Sequence, residues 1–318
     1  MESVLKLIAH DFHPMQLNCT RFLVGGLLLL PFGLRALRSR GLSLGLADGK
    51  GFAWLGFVGL VVSMMFYQCS ILFIPASVVS VLFSCNPVLM LAFAFLILRA
   101  VILPQHIAAL ILEVIGALVI IDPLHTTLDL RGVVLVLLSA ATFALYAVLG
   151  KKLCARYSGL AVTAFSCLAA SGEMLLLIAL SHVPFVAELL RDMGLPQFAA
   201  IPLFTGYTSE NLLTVLYVFL FVTGGGYACY FMGMEATSPM QSSLVFFFKP
   251  ILAPLFAIAI LGESIPWNMW VGIGLILTAS FISMLPTLHV MHSVRHLQLH
   301  FPHHFQLPHG LHWPHHKK

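Results

Sequence analysis

Charged side chains are scarce in this chain of 318 residues: Asp, Glu, Lys and Arg make up 9% of it, against 60% hydrophobic residues. A soluble domain carries roughly 25% charged and 45–50% apolar residues, so the polar surface needed to cover a water-soluble globule is missing. That shortage excludes an ordinary soluble enzyme and a disordered protein. A nucleic-acid partner is excluded too, because the formal net charge is only +4 and the basic residues form no dense patch. Cysteine is sparse as well. Cys19, Cys69, Cys85, Cys154, Cys167 and Cys229 stand singly, mostly in apolar stretches and without a CxxC pair, which excludes a disulfide framework or zinc knuckle. They read as small packing residues. No GxxxxGK[ST] phosphate-binding loop occurs. Met1–Ile8 is too short for the basic and apolar regions of a cleavable signal peptide.

What the chain has is long apolar runs. A helix needs about 20 mostly apolar residues to cross about 30 Å of hydrocarbon. Nine stretches reach or approach that length: 15–37, 51–74, 76–98, 104–121, 131–149, 159–181, 211–234, 239–261 and 267–286. The fold expected is therefore an all-α polytopic membrane protein with the lipid bilayer as its surroundings. The connection 182–210 is longer, and its Val183–Met193 segment reads as a short amphipathic helix outside the bilayer. Lys and Arg concentrate in cytoplasmic loops. On the alternation of nine spans, eleven basic residues fall on one side (Arg35, Arg38, Arg40, Lys50, Arg99, Lys151, Lys152, Arg156, Arg295, Lys317, Lys318) and four on the other (Lys6, Arg21, Arg131, Arg191). The bias predicts a multi-pass protein of the cell membrane with a cytoplasmic C-terminus.

A single constant shift in register lays Tyr67–Pro123 over Tyr230–Pro286 without a gap. Identical pairs include Tyr67/Tyr230, Ser80/Ser243, Phe83/Phe246, Pro87/Pro250, Phe93/Phe256 and Pro123/Pro286. The prolines weigh most, because Pro87 and Pro250 stand within spans, where a proline removes a backbone hydrogen bond and bends the helix. The two copies run in opposite directions through the bilayer, the pattern of an inverted-topology repeat with a site near the midplane. Carried backwards, Ser3–Lys6 matches Ala147–Gly150, the tail of a helix that is complete only in the second copy. The expected architecture is thus five plus five helices, nine of the ten present and the first largely missing. Its parts are a first repeat at 1–123, a second at 131–286 and a His-rich cytoplasmic tail at 287–318.

Several motifs in order carry a resemblance. His13-Pro14…Arg21-Phe22 stands at the entry to the second helix, Ala76-Ser77-Val78-Val79-Ser80…Asn86-Pro87 in the fourth, and Ala236-Thr237-Ser238…Lys249-Pro250 with Leu261-Gly262-Glu263 in the ninth. Over about 15–286 the chain resembles the drug/metabolite transporter superfamily, of the EamA-domain type. Arg99-Ala100 departs from it where the first repeat often has Gly-Glu, and Lys249 stands where many members carry a carboxylate. The resemblance implies a secondary transporter that moves a small organic metabolite or drug-like solute by alternating access, in the export direction and without ATP. It implies no enzyme activity and no cofactor.

The residue chemistry points to Lys249, in Phe246-Phe247-Phe248-Lys249-Pro250. A lysine at mid-span costs roughly 2.5–3.5 kcal/mol to insert, so it is expected inside the bundle as a substrate-binding group or as a partner in a static salt bridge. Asn86 stands at the equivalent position of the first repeat, and Tyr67, Gln68 and Tyr230 are further candidates for a polar path. Glu113 and Glu173, carboxylates within spans, are candidates for proton coupling or for static ion pairs. Arg21 and Glu263 read as anchors or helix caps near the membrane boundaries. His289, His292, His296 and His300, spaced as neighbouring turns of a helix, could share a divalent metal. That makes a divalent-metal carrier regulated by its tail the alternative reading, with a non-transporting sensor or structural protein as a third. A membrane-embedded transferase is disfavoured, since no HxxxxD-like catalytic pair occurs.

Overall fold

The structure, a computed structural model, describes residues 1–99, 104–122, 128–237 and 242–284. Helices α1 (Glu2–Leu7) and α2 (Pro14–Ser39) open the chain, followed by α3 (Leu46–Gly56), α4 (Ser63–Phe73), α5 (Ala76–Phe83), α6 (Asn86–Leu98) and α7 (Pro104–Ile121). Next come α8 (Leu130–Tyr157), α9 (Gly159–Ser181), α10 (Pro184–Asp192), α11 (Leu212–Tyr217), α12 (Tyr227–Ala236), α13 (Lys249–Phe256) and α14 (Trp267–Met284). No strand occurs among the described residues, and the fold is an all-α polytopic membrane protein. Seven helical runs are long and apolar enough to cross a membrane: Pro14–Ser39, Asp48–Phe73, Ala76–Leu98, Pro104–Ile121, Leu130–Tyr157, Gly159–Ser181 and Leu212–Ala236. The spans expected at 239–261 and 267–286 are represented by shorter apolar helices, Lys249–Leu261 and Trp267–Ile282. Met1–Ser283 form one compact unit. The tail of the sequence reading, with His289, His292, His296 and His300, lies outside the described residues.

Proline and capping chemistry set the local geometry. Pro14 opens α2, where its missing N–H costs nothing. His13 caps that helix, its Nδ1 accepting from the Met15 N–H at 3.2 Å while Gln16 Oε1 accepts from the His13 N–H at 3.4 Å. The run Ala76–Leu98 breaks at Ser84–Cys85, just ahead of Pro87 at the second position of α6. At the equivalent place in the second half, Ser243–Phe248 tightens to a 3₁₀-helix just ahead of Pro250, the second residue of α13. In both cases the proline cannot complete the preceding turn. Wide π-turns interrupt Asp48–Phe73 at Phe57–Val62 and Leu212–Ala236 at Val218–Gly226. In the register that pairs Tyr67 with Tyr230, the first falls within the second. Such turns leave carbonyls free and re-aim the side chains that follow.

Charged groups fasten the helix ends. Lys6 Nζ donates to the carbonyls of Ile71 and Ile74, both at 2.8 Å, at the end of α4. Lys151 Nζ does the same for Met234 and Thr237, both at 2.6 Å, at the end of α12. The two carbonyl pairs correspond in the same register, Ile71 with Met234 and Ile74 with Thr237. Glu263 accepts from the Ala76 and Ser77 N–H groups at 2.8 and 3.1 Å and from the Ser77 hydroxyl at 2.6 Å, and so caps α5. Toward the other end of the bundle Glu235 accepts from the Gly159 N–H at the start of α9 and pairs with Arg40.

Candidate functional site

Lys249 begins α13 directly after the 3₁₀ segment, and this break turns its side chain into the bundle. Its Nζ lies 2.6 Å from Oε1 of Glu2 in α1, with the two side chains 23% and 4% exposed. The Tyr67 hydroxyl donates to the same carboxylate oxygen. Three rings surround the ammonium: Phe83 at 4.7 Å, Phe246 at 5.5 Å and Tyr67 at 5.7 Å from Nζ to centroid. Aromatic faces attract a cation most where water is excluded. The chain therefore stabilises this charge twice, by a carboxylate and by ring quadrupoles.

The same residues wall a cavity of about 280 Å³. Lys249 and Tyr67 share its lining with Met64, Phe83, Phe143, Tyr227, Tyr230 and Phe246, and with Val222 and Gly226 from the second π-turn. Phe143 of α8 is the centre of an aromatic cluster, its ring centroid lying 5.5 Å from Phe83, 5.8 Å from Tyr230 and 5.9 Å from Phe246. The Tyr230 hydroxyl has no hydrogen-bond partner among the described residues. Such a site offers an apolar, aromatic enclosure with the Lys249 ammonium on its wall and the Glu2 carboxylate behind it, fit to hold and orient a small amphipathic molecule. Its volume falls near the lower end of the roughly 300–1,000 Å³ usual for small-molecule sites.

Of the candidates named from sequence, Lys249, Tyr67 and Tyr230 meet at this cavity. Asn86 and Gln68 do not line it: Asn86 Nδ2 donates to the Ala140 carbonyl of α8 at 2.8 Å, and Gln68 Nε2 contacts Asn18 Oδ1 at 3.5 Å. Lys249 and Asn86 nonetheless play matching parts, each reaching from the start of a proline-broken helix to a helix of the other half. Glu113 is buried in the seam between α7 and α14, 3.5 Å from the Ser280 hydroxyl and within electrostatic reach of Cys85. Glu173 is half-buried on α9, with its Oε2 unpartnered among the described residues. Neither carboxylate reaches Lys249. Among the described residues no group of three or more His, Cys, Asp and Glu could hold a metal ion.

Two residues depart from the sequence reading. Glu2, the partner of Lys249, goes unnoticed in a helix too short to be read as a span. The register that pairs Ser3 with Ala147 sets Glu2 opposite Tyr146, and that was the available signal. Arg21, expected as a boundary anchor, is fully buried. It stands seven residues past the start of α2, about 10 Å into the span at 1.5 Å per residue, and its guanidinium packs over the Phe22 ring at 4.6 Å. Glu263 is a helix cap, as expected.

Comparison with known proteins places this geometry in context. The model of the EamA-like transporter family matches two stretches, residues 3–122 and 130–285. An uncharacterized transporter of Clostridium kluyveri is 32% identical over 276 residues, covering 85% of this chain and 83% of that protein. Protein PecM of Dickeya dadantii is 27% identical over 238 residues, or 73% of this chain and 74% of PecM. A crystal structure at 18% identity superposes with a TM-score of 0.62 over 89% of this chain and 92% of its own, a likeness of fold.

Proposed function

The chain belongs to the EamA-like transporter family, and we propose that it is a secondary transporter carrying a small organic solute across the cell membrane by alternating access. The observation that carries this reading is the aromatic cavity of about 280 Å³ with the Lys249 ammonium on its wall. A charge is kept so deep in a bundle where it has work to do on a pathway. The solute occupies the cavity and competes with Glu2 for Lys249. The two halves of the chain, bent at Pro87 and Pro250, open the cavity to one side and then the other. The bias of Lys and Arg supports a cytoplasmic end at Arg40, Lys151 and Arg156, and a cytoplasmic C-terminus. We assign export as the direction and a proton as the coupling ion, with Glu113 as its carrier, since that buried carboxylate faces the Ser280 hydroxyl and pairs with no cation among the described residues.

The test is counterflow by the full chain in proteoliposomes, across a panel of anionic and zwitterionic metabolites. Lys249→Met removes the ammonium while keeping much of the side-chain volume. Loss of a charge-assisted contact of about 1.5–3 kcal/mol predicts roughly a tenfold or greater fall in transport at subsaturating solute. Counterflow by Lys249→Met equal to that of the parent across the panel overturns the site.

A further inference from the structure

Two side-chain cations, Lys249 and Arg21, but only one carboxylate stand in or behind the cavity wall, and the Met1 ammonium also draws on that carboxylate, 3.4 Å from Glu2 Oε2. Glu2 compensates Lys249. Arg21 has no such companion: its Nε, Nη1 and Nη2 are all buried and none finds a hydrogen-bond partner among the described residues. Its surroundings are the Phe22 ring and, within electrostatic reach, Tyr67, Tyr227 and Cys167. Tyr67 and Tyr227 are themselves part of the cavity wall, and the Phe22 ring under the guanidinium packs edge-on against Tyr227 at 5.7 Å, which puts Arg21 in the layer behind that wall. Glu113 lies in the seam of α7 and α14, and Glu173, on α9, makes no bond to the guanidinium among the described residues. A guanidinium does not shed its proton, and a buried charge with no counter-ion is strongly unfavourable. Its planar fork is matched to a carboxylate.

On the reading that this cavity is the solute site, we propose that the solute is a small monocarboxylate, its acid group on Lys249 with the Arg21 guanidinium adding its field from behind the wall, and its apolar body among Phe83, Phe143, Tyr230 and Phe246. The negative charge of the solute adds to that of Glu2 against the cations of Lys249, Arg21 and the Met1 ammonium. The aromatic lining leaves the body of the molecule unsuited to further charge, which sets an organic acid with a ring or short alkyl chain apart from a sugar phosphate or a dication.

Thermal melting of the full chain in detergent tests this with matched pairs: benzoate against benzamide, phenylacetate against phenylacetamide, and hexanoate against hexanamide. The acids are expected to raise the melting temperature in a saturable way and the amides are not. Arg21→Gln, which removes the charge behind the wall, is expected to weaken acid binding by about tenfold, and Arg21→Lys, which retains the charge, by less. Amides that stabilise as well as acids, or acid binding unchanged in Arg21→Gln, overturn the assignment of an anion while leaving the cavity as the solute site. If no acid and no amide shifts the parent chain, the monocarboxylate proposal falls. The counterflow panel then decides separately whether Lys249 serves transport. Should Arg21→Gln fail to fold, the comparison of acid with amide on the parent chain and on Arg21→Lys decides the matter.

Discussion

Removing one partner of a buried ion pair costs more than the pair contributes, because the survivor keeps its charge and loses its compensation. Glu2→Gln is therefore expected to destabilise the protein by about 3 kcal/mol, the lower end of what breaking such a pair costs, since Lys249 is left among Phe83, Phe246 and Tyr67. The double variant Glu2→Gln with Lys249→Met should recover most of the loss, as no unpaired charge remains. Melting of the four proteins as a double-mutant cycle measures it, and additive effects would show that the two side chains do not sense one another. Lys249 was legible in the sequence because an ammonium flanked by phenylalanines has no cheap place in a bilayer. Glu2 was not, for the reason that a carboxylate at the second position of a chain ordinarily faces water. Arg21 misled in the same way: its distance along the helix from Pro14 is plain in the sequence, but which neighbours close over it is a tertiary fact.

Among the helices, α7 and α14 approach each other through a pair of glycines. A Cβ on Gly116 would lie 3.1 Å from the Gly272 carbonyl oxygen, and one on Gly272 would lie 2.8 Å from that of Gly116. Asn268 Nδ2 donates across the seam to the carbonyls of Val119 and Ile120 at 3.2 and 3.3 Å. Glu113 and Ser280 face each other in the same seam. If Glu113 carries the coupled proton, Glu113→Gln, which is nearly isosteric and still accepts from Ser280, should leave melting within about 1 kcal/mol of the parent while flattening the pH dependence of counterflow. A pH profile identical to the parent's would remove Glu113 from the coupling. The prolines that break α5 from α6 and the 3₁₀ segment from α13 were readable from residue type alone, as was the short helix α10 within the long connection. The π-turns were not, since Phe57–Val62 and Val218–Gly226 have the composition of any apolar helix and differ only in how their carbonyls are used.

At the scale of the molecule, corresponding parts of the two halves make corresponding contacts. The repeat showed in the sequence through Pro87/Pro250 and Tyr67/Tyr230, but the matching lysines did not. The register that superimposes the capped carbonyls does not bring Lys6 onto Lys151, so no ungapped alignment of the halves pairs both. These caps belong to two ionic fastenings at opposite ends of the helices that wall the cavity. One joins Glu263 and Lys6 to the α4–α5 junction. The other joins Glu235, Arg40 and Lys151 to the α8–α9 junction and the end of α12. Under the alternating access proposed above, each would open while the other holds. Loosening one should therefore bias the protein toward that side, by about 1 kcal/mol for a weakened charge-assisted contact, or about fivefold in population. Met64 is buried on the cavity wall and can report this as Met64→Cys in a chain whose six native cysteines are replaced by serine or alanine. With a membrane-impermeant maleimide, Glu263→Gln should raise labelling from the face nearer Lys6, and Glu235→Gln from the face nearer Arg40. Equal rises from both faces in either variant would mean that the fastenings hold the fold together without gating it.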